Sequence, residues 1–169
     1  MNKLTTRESI REELEETREA FHVLLNQMSA KDWERKSGNQ SWTKGELMMH
    51  IVTYLSVIPN RVERVRKGTP EPTPPAFIVN IINIPLTKLL GRRESLDTAG
   101  IKYDEAHAKT ITSLEMIEDD EWGKIGKFYG NMQDTVESLF RFHNQHYKEH
   151  EAQIRQSLGN DKRNNRITP

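Results

Sequence analysis

Three histidines sit within eight residues near the C-terminal end of the sequence, in the stretch FRFHNQHYKEHEAQI from Phe140 to Ile154. At about 100° per residue, His143, His146 and His150 fall within about 60° of one another on a helix. Val136, Leu139, Tyr147 and Ile154 share their side, while Glu137, Arg141, Asn144, Lys148, Glu151 and Arg155 form the opposite, solvated one. The imidazoles therefore point inward, where each unpaired buried polar group costs roughly 1 to 3 kcal/mol. His146 and His150 are four residues apart, so their Cβ atoms lie about 5 to 6 Å from each other. That spacing lets two ring nitrogens converge on one ion at the roughly 2.0 to 2.1 Å of a zinc–imidazole bond. The competing reading keeps each ring in the core, hydrogen-bonded to a carbonyl or carboxylate, and the spacing alone leaves both open. With no cysteine in the chain, any metal site must use nitrogen and oxygen ligands.

Four long amphipathic segments would have to position these rings. Thr5 and Glu8 make a capping box ahead of Ile10, Leu14, Thr17, Phe21, Leu24 and Met28, which step by three and four. His22 lies off that stripe and reads as a surface or boundary residue. The segment SAKDWERKSGNQSW loses periodicity and reads as a loop, with Trp33 and Trp42 plugging the end of the core. A second capping box, Thr43 and Glu46, opens a helix to about Lys67 with Leu47, Ile51, Tyr54, Ile58, Val62 and Val65 inward. Pro59 inside it is a kink point. His50 lies on the flank of this face, where it can reach a neighbouring helix, and Glu46 reads as a cap rather than as a partner of that histidine.

The run GTPEPTPP is an extended linker, because four prolines in six positions remove donors. FIVNIINIPLTKLLG follows, and Phe77 to Leu90 is too apolar for a bare loop, so a short helix that packs over the bundle, lids a pocket or meets a second subunit is expected. A third long helix is expected from Asp97 to Ile117, with Tyr103, Ala106, Thr110 and Leu114 on one side and His107 as a packed or boundary histidine. Asp119 to Gly130 reads as a loop leaning on the core, and the fourth helix is expected from about Asn131 to Leu158. No segment reads as a convincing strand. The fold class is thus all-α, a four-helix bundle with a short extra helix between helices 2 and 3. Residues 1–158 form one domain, and 159–169 is a polar tail expected to be disordered.

Twenty-five basic residues balance twenty-five acidic ones, which leaves no electrostatic footprint for nucleic acid or an anionic membrane. The first residues carry no apolar run of a secretory signal, and the longest apolar stretch is too short to span a bilayer. A cytoplasmic protein with no nucleic-acid or membrane partner is expected.

SWTKGELMMHIV before the second helix and FHNQHYKEHEAQI on the fourth resemble the signature of the DinB/YfiT-like family of metalloenzymes. The matching positions are Trp42, His50 eight residues on, then His146 and His150 followed by Gln153 and Ile154. The resemblance implies a DinB-like bundle in which His50, His146 and His150 bind one divalent metal ion, zinc or nickel. His143 has no counterpart among the family's ligands, and Phe77 to Leu90 is not part of the pattern. It further implies a metal-dependent thiol S-transferase, with a low-molecular-weight thiol (bacillithiol, mycothiol or glutathione) as cosubstrate and an electrophilic small molecule as substrate. A metal-dependent hydrolase and a non-catalytic metal- or partner-binding bundle are the alternatives. A homodimer is expected, and no catalytic acid or base is assigned.

Overall fold

The structure, a computed structural model, describes residues 5–69, 94–128 and 132–167. The all-α architecture expected from the sequence is present, and each long helix starts where a side chain satisfies its first free N–H groups. Helix α1, Thr6–Asn26, is opened by Thr5 and Glu8 in a reciprocal capping box and buries Ile10, Leu14, Thr17, Phe21 and Leu24, the stripe read from the sequence. Helix α3, Lys44–Arg66, is opened in the same way by Thr43 and Glu46. Helix α4, Leu96–Glu115, begins at Ser95 and buries Tyr103, Ala106, His107, Thr110 and Leu114. The last helix, α5, spans Val136–Ile167.

Three expectations need correction. The segment after Met28 is not all loop: Ser29 and Asp32 form a capping box over α2, Ala30–Glu34. Five residues are too few for a hydrophobic period to register, so only the cap could have revealed it. The glycine-bearing stretch before α5 holds an antiparallel hairpin, β1 (Ile125–Phe128) with β2 (Met132–Thr135), in the register Ile125 opposite Thr135. Because 132–135 pair as a strand, α5 starts at Val136 rather than near Asn131, with Ser138 N–H donating to Thr135 Oγ1 at 3.0 Å. Finally, the last helix ends at Ile167 rather than at about Leu158. Adding a residue to an existing helix costs far less than nucleating one, so a polar extension can follow a packed helix. The short helix expected at Phe77 to Leu90 lies outside the described residues.

Helix α3 packs against α4 and α5, and α1 packs against the same two, so α1 and α3 stand on opposite corners of the bundle. The core runs through Ile10, Leu14, Phe21, Leu47, Ile51, Leu55, Tyr103, Phe140, Tyr147 and Ile154, all essentially inaccessible. Phe21 stacks on Tyr103 with ring centres 4.0 Å apart. Pro59 leaves α3 unbroken. Its missing N–H deprives the Leu55 carbonyl of a helical donor, and the Thr110 hydroxyl of α4, 3.3 Å away, is positioned to serve that carbonyl.

The end of the bundle nearest the histidines is closed by a ring laid on backbone. Trp33 is buried, and a Cβ placed on Gly45 would lie 2.4 Å from its indole. Gly45→Ala should therefore lower the denaturant midpoint by an amount equivalent to about 1 to 3 kcal/mol, the usual penalty of overpacking. Gly123→Ala, where a Cβ would meet nothing within 4 Å, serves as the comparison. Equal midpoints for the two variants would mean that the Trp33 contact does not constrain the fold.

Candidate metal centre

Helices α3 and α5 meet so that residues 96 apart in sequence become neighbours: His50 Nε2 and His146 Nε2 are 3.1 Å apart. His150, one turn along α5, brings its own Nε2 to 3.1 Å from the same His146 atom. The rings stand edge to face, with centres 4.8 Å apart for His50 and His146 and 4.6 Å for His146 and His150. Among the described residues, the group close enough to share an ion is this one, its ligand atoms all within 4.8 Å of one another.

Hydrogen bonding cannot satisfy this arrangement. Gln153 Oε1 stands 3.2 Å from His150 Nδ1, and an amide oxygen only accepts, so Nδ1 carries the hydrogen and Nε2 of neutral His150 is a bare lone pair. His146 Nδ1 is buried with no partner. With its hydrogen on Nε2, His146 can donate to only one of its two neighbours, and with the hydrogen on Nδ1 its Nε2 lone pair faces that of His150. A cation between the rings would accept all three Nε2 lone pairs at once. With bonds of about 2.0 to 2.1 Å and tetrahedral angles, ligand nitrogens should be about 3.3 Å apart; the two pairs that include His146 are at 3.1 Å, and the three ligand atoms all lie within 4.8 Å of one another. The donor set thus fits a divalent ion of the zinc type.

Burial keeps the rings in the form a metal needs. It pushes His50 down to about 4, with the nearby His150 adding to the effect. Burial also takes His146 down to about 3, reinforced by His150, His50 and His143. His150 moves the same way, again through burial, opposed by its bond to Gln153. All three are neutral at pH 7, so no proton must be displaced before ligation.

Histidines outside the triad have other partners. His143 is fully buried, with Nε2 3.0 Å from the Tyr103 hydroxyl. His107 is buried on α4 with Glu15 3.7 Å away, and His22 contacts Asp104 at 2.9 Å. Glu46 acts as the cap, its Oε2 accepting from Thr43 N–H at 2.8 Å. Trp42, read as a plug for the core, is half-buried with its ring 5.6 Å from that of His50. Tyr54, read as a core position, instead faces His146 at 4.6 Å between ring centres. Phe142 lies nearly parallel to His146 at 5.7 Å, a role the sequence gave no sign of. Gln153 was among the positions matched in the sequence, where it was assigned no role. Its carbonyl also accepts from Gly38 N–H at 2.9 Å, which ties the loop before α3 to α5 beside the site.

A family model described as the DinB superfamily matches residues 9–154. The chain belongs to the DinB superfamily. No curated protein matches it in sequence. Among solved structures, this DinB chain resembles a mycothiol-dependent maleylpyruvate isomerase with a TM-score of 0.73 at 11% identity, covering 89% of this chain and 61% of that one. A histidine-to-alanine mutant of the same isomerase gives a TM-score of 0.72, also at 11% identity and with the same coverage, 89% and 61%. The DinB chain therefore spans about three fifths of the length of the structures it matches, and at this identity the likeness shows the fold. No described helix is long and apolar enough to cross a membrane.

Proposed function

We propose that this DinB protein is a metal-dependent enzyme for small molecules, with His50, His146 and His150 holding one divalent ion, zinc or nickel. The observation that carries this reading is the convergence of three imidazole Nε2 atoms, one from buried His146 and two from half-buried His50 and His150, whose contacts hydrogen bonds cannot all satisfy. When bound, a three-coordinate ion of this kind supplies Lewis acidity at an open position and lowers the pKa of a thiol or water held there. Gln153 fixes the tautomer of His150, and the Trp42 and Tyr54 rings flank His50 and His146. The reaction we favour joins a low-molecular-weight thiol of the bacillithiol, mycothiol or glutathione type to an electrophile. The thiol gives its proton to solvent and the sulfur bonds to the electrophilic carbon, while the electron pair of the bond broken at that carbon departs with the displaced group or, in an addition across a double bond, takes up a proton from solvent. Support for a thiol rather than water comes from the fold shared with an isomerase described as mycothiol-dependent. A cytoplasmic homodimer belongs to the same proposal, and a strict monomer in sedimentation would remove the dimer.

The test is elemental analysis of protein purified without a histidine tag, followed by thiol conjugation with each thiol in turn. About one metal per chain is expected, with conjugation lost on chelation and restored by zinc or nickel. Protein that takes up no metal from either salt would sink the reading. Turnover of an ester or lactone without any thiol would move it to a hydrolase.

Gln153→Leu gives a smaller, separate check. Removing the acceptor frees His150 to adopt the other tautomer, and metal affinity should fall about 10 to 100-fold. Competition with a chelator of known affinity reads that change. An unchanged affinity would mean that the 3.2 Å contact does not orient His150.

A further inference from the structure

Next to the three imidazoles, the contact between α3 and α5 carries two rings that metal binding does not require. Tyr54 stands one turn beyond His50, and Phe142 one turn before His146. The two helices run antiparallel here, because His50 meets His146 and His150 while Tyr54 meets Phe142 and His146. Tyr54 and Phe142 are 5.3 Å apart at 53° between planes, and each also faces His146, at 4.6 Å and 5.7 Å. The Arg61 guanidinium lies 5.7 Å from the Tyr54 ring centre, a cation–π contact that helps hold the tyrosine in this orientation.

Phe142 is the informative one. It is 41% exposed, whereas Phe21 and Phe140, which fill the core, are at 0% and 1%. A ring kept at the surface beside a candidate reactive centre contributes little to the fold and offers a face to whatever enters. One helical turn is about 5.4 Å, roughly the length of a six-membered ring attached to an atom held at the imidazoles. Rings at 4.5 to 7 Å separation in tilted or offset arrangements attract another flat π-system.

We infer that Tyr54 and Phe142 form a specificity wall, and that the electrophilic substrate carries an aromatic or flat conjugated apolar group seated against it. The inference rests on the metal reading of His50, His146 and His150. The alternative, that these rings only brace His146, makes a different prediction for the variants below.

Two probes with the same metal-chelating group separate these cases: benzohydroxamate, which carries a phenyl ring, and acetohydroxamate, which carries a methyl. Calorimetry on zinc-loaded protein should show the phenyl compound binding about tenfold tighter or more. In Phe142→Ala that preference should fall to about threefold or less, with zinc content unchanged, and Phe142→Tyr should keep it. Phe142 is partly exposed, so neither variant threatens folding; Tyr54→Leu provides a second reading from the other helix. Equal affinities for the two probes in the zinc-loaded parent would overturn the wall while leaving the metal site intact. Weakened zinc binding in Phe142→Ala, with the preference unchanged once zinc is supplied to saturation, would assign the rings to bracing and also overturn it. A parent protein that holds no zinc fails the metal reading itself, and this inference with it.

Discussion

His146→Ala should abolish tight zinc or nickel binding, and His50→Ala should do the same although it lies 96 residues away in sequence. His146 is the central ring, its Nε2 3.1 Å from both neighbours, so its loss leaves two nitrogens with nothing between them. His143 is the control, because it lies on the same helix face yet is engaged by Tyr103 at 3.0 Å. His143→Gln should keep about one metal per chain, with any loss in affinity no more than about 10 to 100-fold. Equilibrium competition against a chelator measures all three variants. The three-ligand proposal fails if His50→Ala binds as tightly as the parent. It fails equally if His143→Gln loses metal as completely as His146→Ala, which would bring His143 to the ion.

Acid should unfold the metal-free protein well before its carboxylates titrate. His143 is fully buried, and burial pushes its pKa down to about 3, with His107 nearby adding to the effect. In the unfolded chain a histidine titrates near 6.5. Between those values the unfolded state binds a proton that the folded state refuses, so stability rises with pH and is lost as pH falls from about 6.5 toward 3. At pH 5 the unfolded value is about 1.5 units above the solution pH, which corresponds to about 2 kcal/mol from His143 alone. His50 and His146 are depressed too, to about 4 and about 3, and act in the same direction. Against a typical total of roughly 5 to 15 kcal/mol, that is a large share. Urea midpoints of chelator-treated protein at pH 7 and pH 5 should differ markedly, and His143→Gln should show a shallower dependence by about one proton. A flat profile across that range would show that water or a rearrangement reaches the buried rings when they protonate.

The local devices of the fold were legible in the residues themselves. Capping boxes at Thr5 and Thr43 stand where the chain pattern places them, because a hydroxyl and a carboxylate three residues apart act within one helical turn. Periodicity likewise put His143 and His146 inward, since the direction of a side chain relative to its own helix axis is a local property. The hairpin was not legible. Four-residue strands carry too short an alternation, and what holds Ile125 to Thr135 is a partner across the turn rather than anything within either segment. The α2 turn was hidden for a similar reason of length.

The candidate site divides along the same line. The chain's own spacing gave His146 and His150 as a pair one turn apart. It left His143 within the same arc, and it could not show by itself which distant residue completes the group. The resemblance named His50 for that place, and packing gives the physical reason: the seating of α3 on α5 sets His50 opposite His146, and α4 brings Tyr103 to His143. The same seating turned Tyr54 from a core position into a wall beside His146 and set Phe142 against it. A helix fixes which way each residue points, but what stands opposite depends on how far one helix has slid and rotated against another. That is set by the sum of all their contacts, and no single segment of sequence contains it.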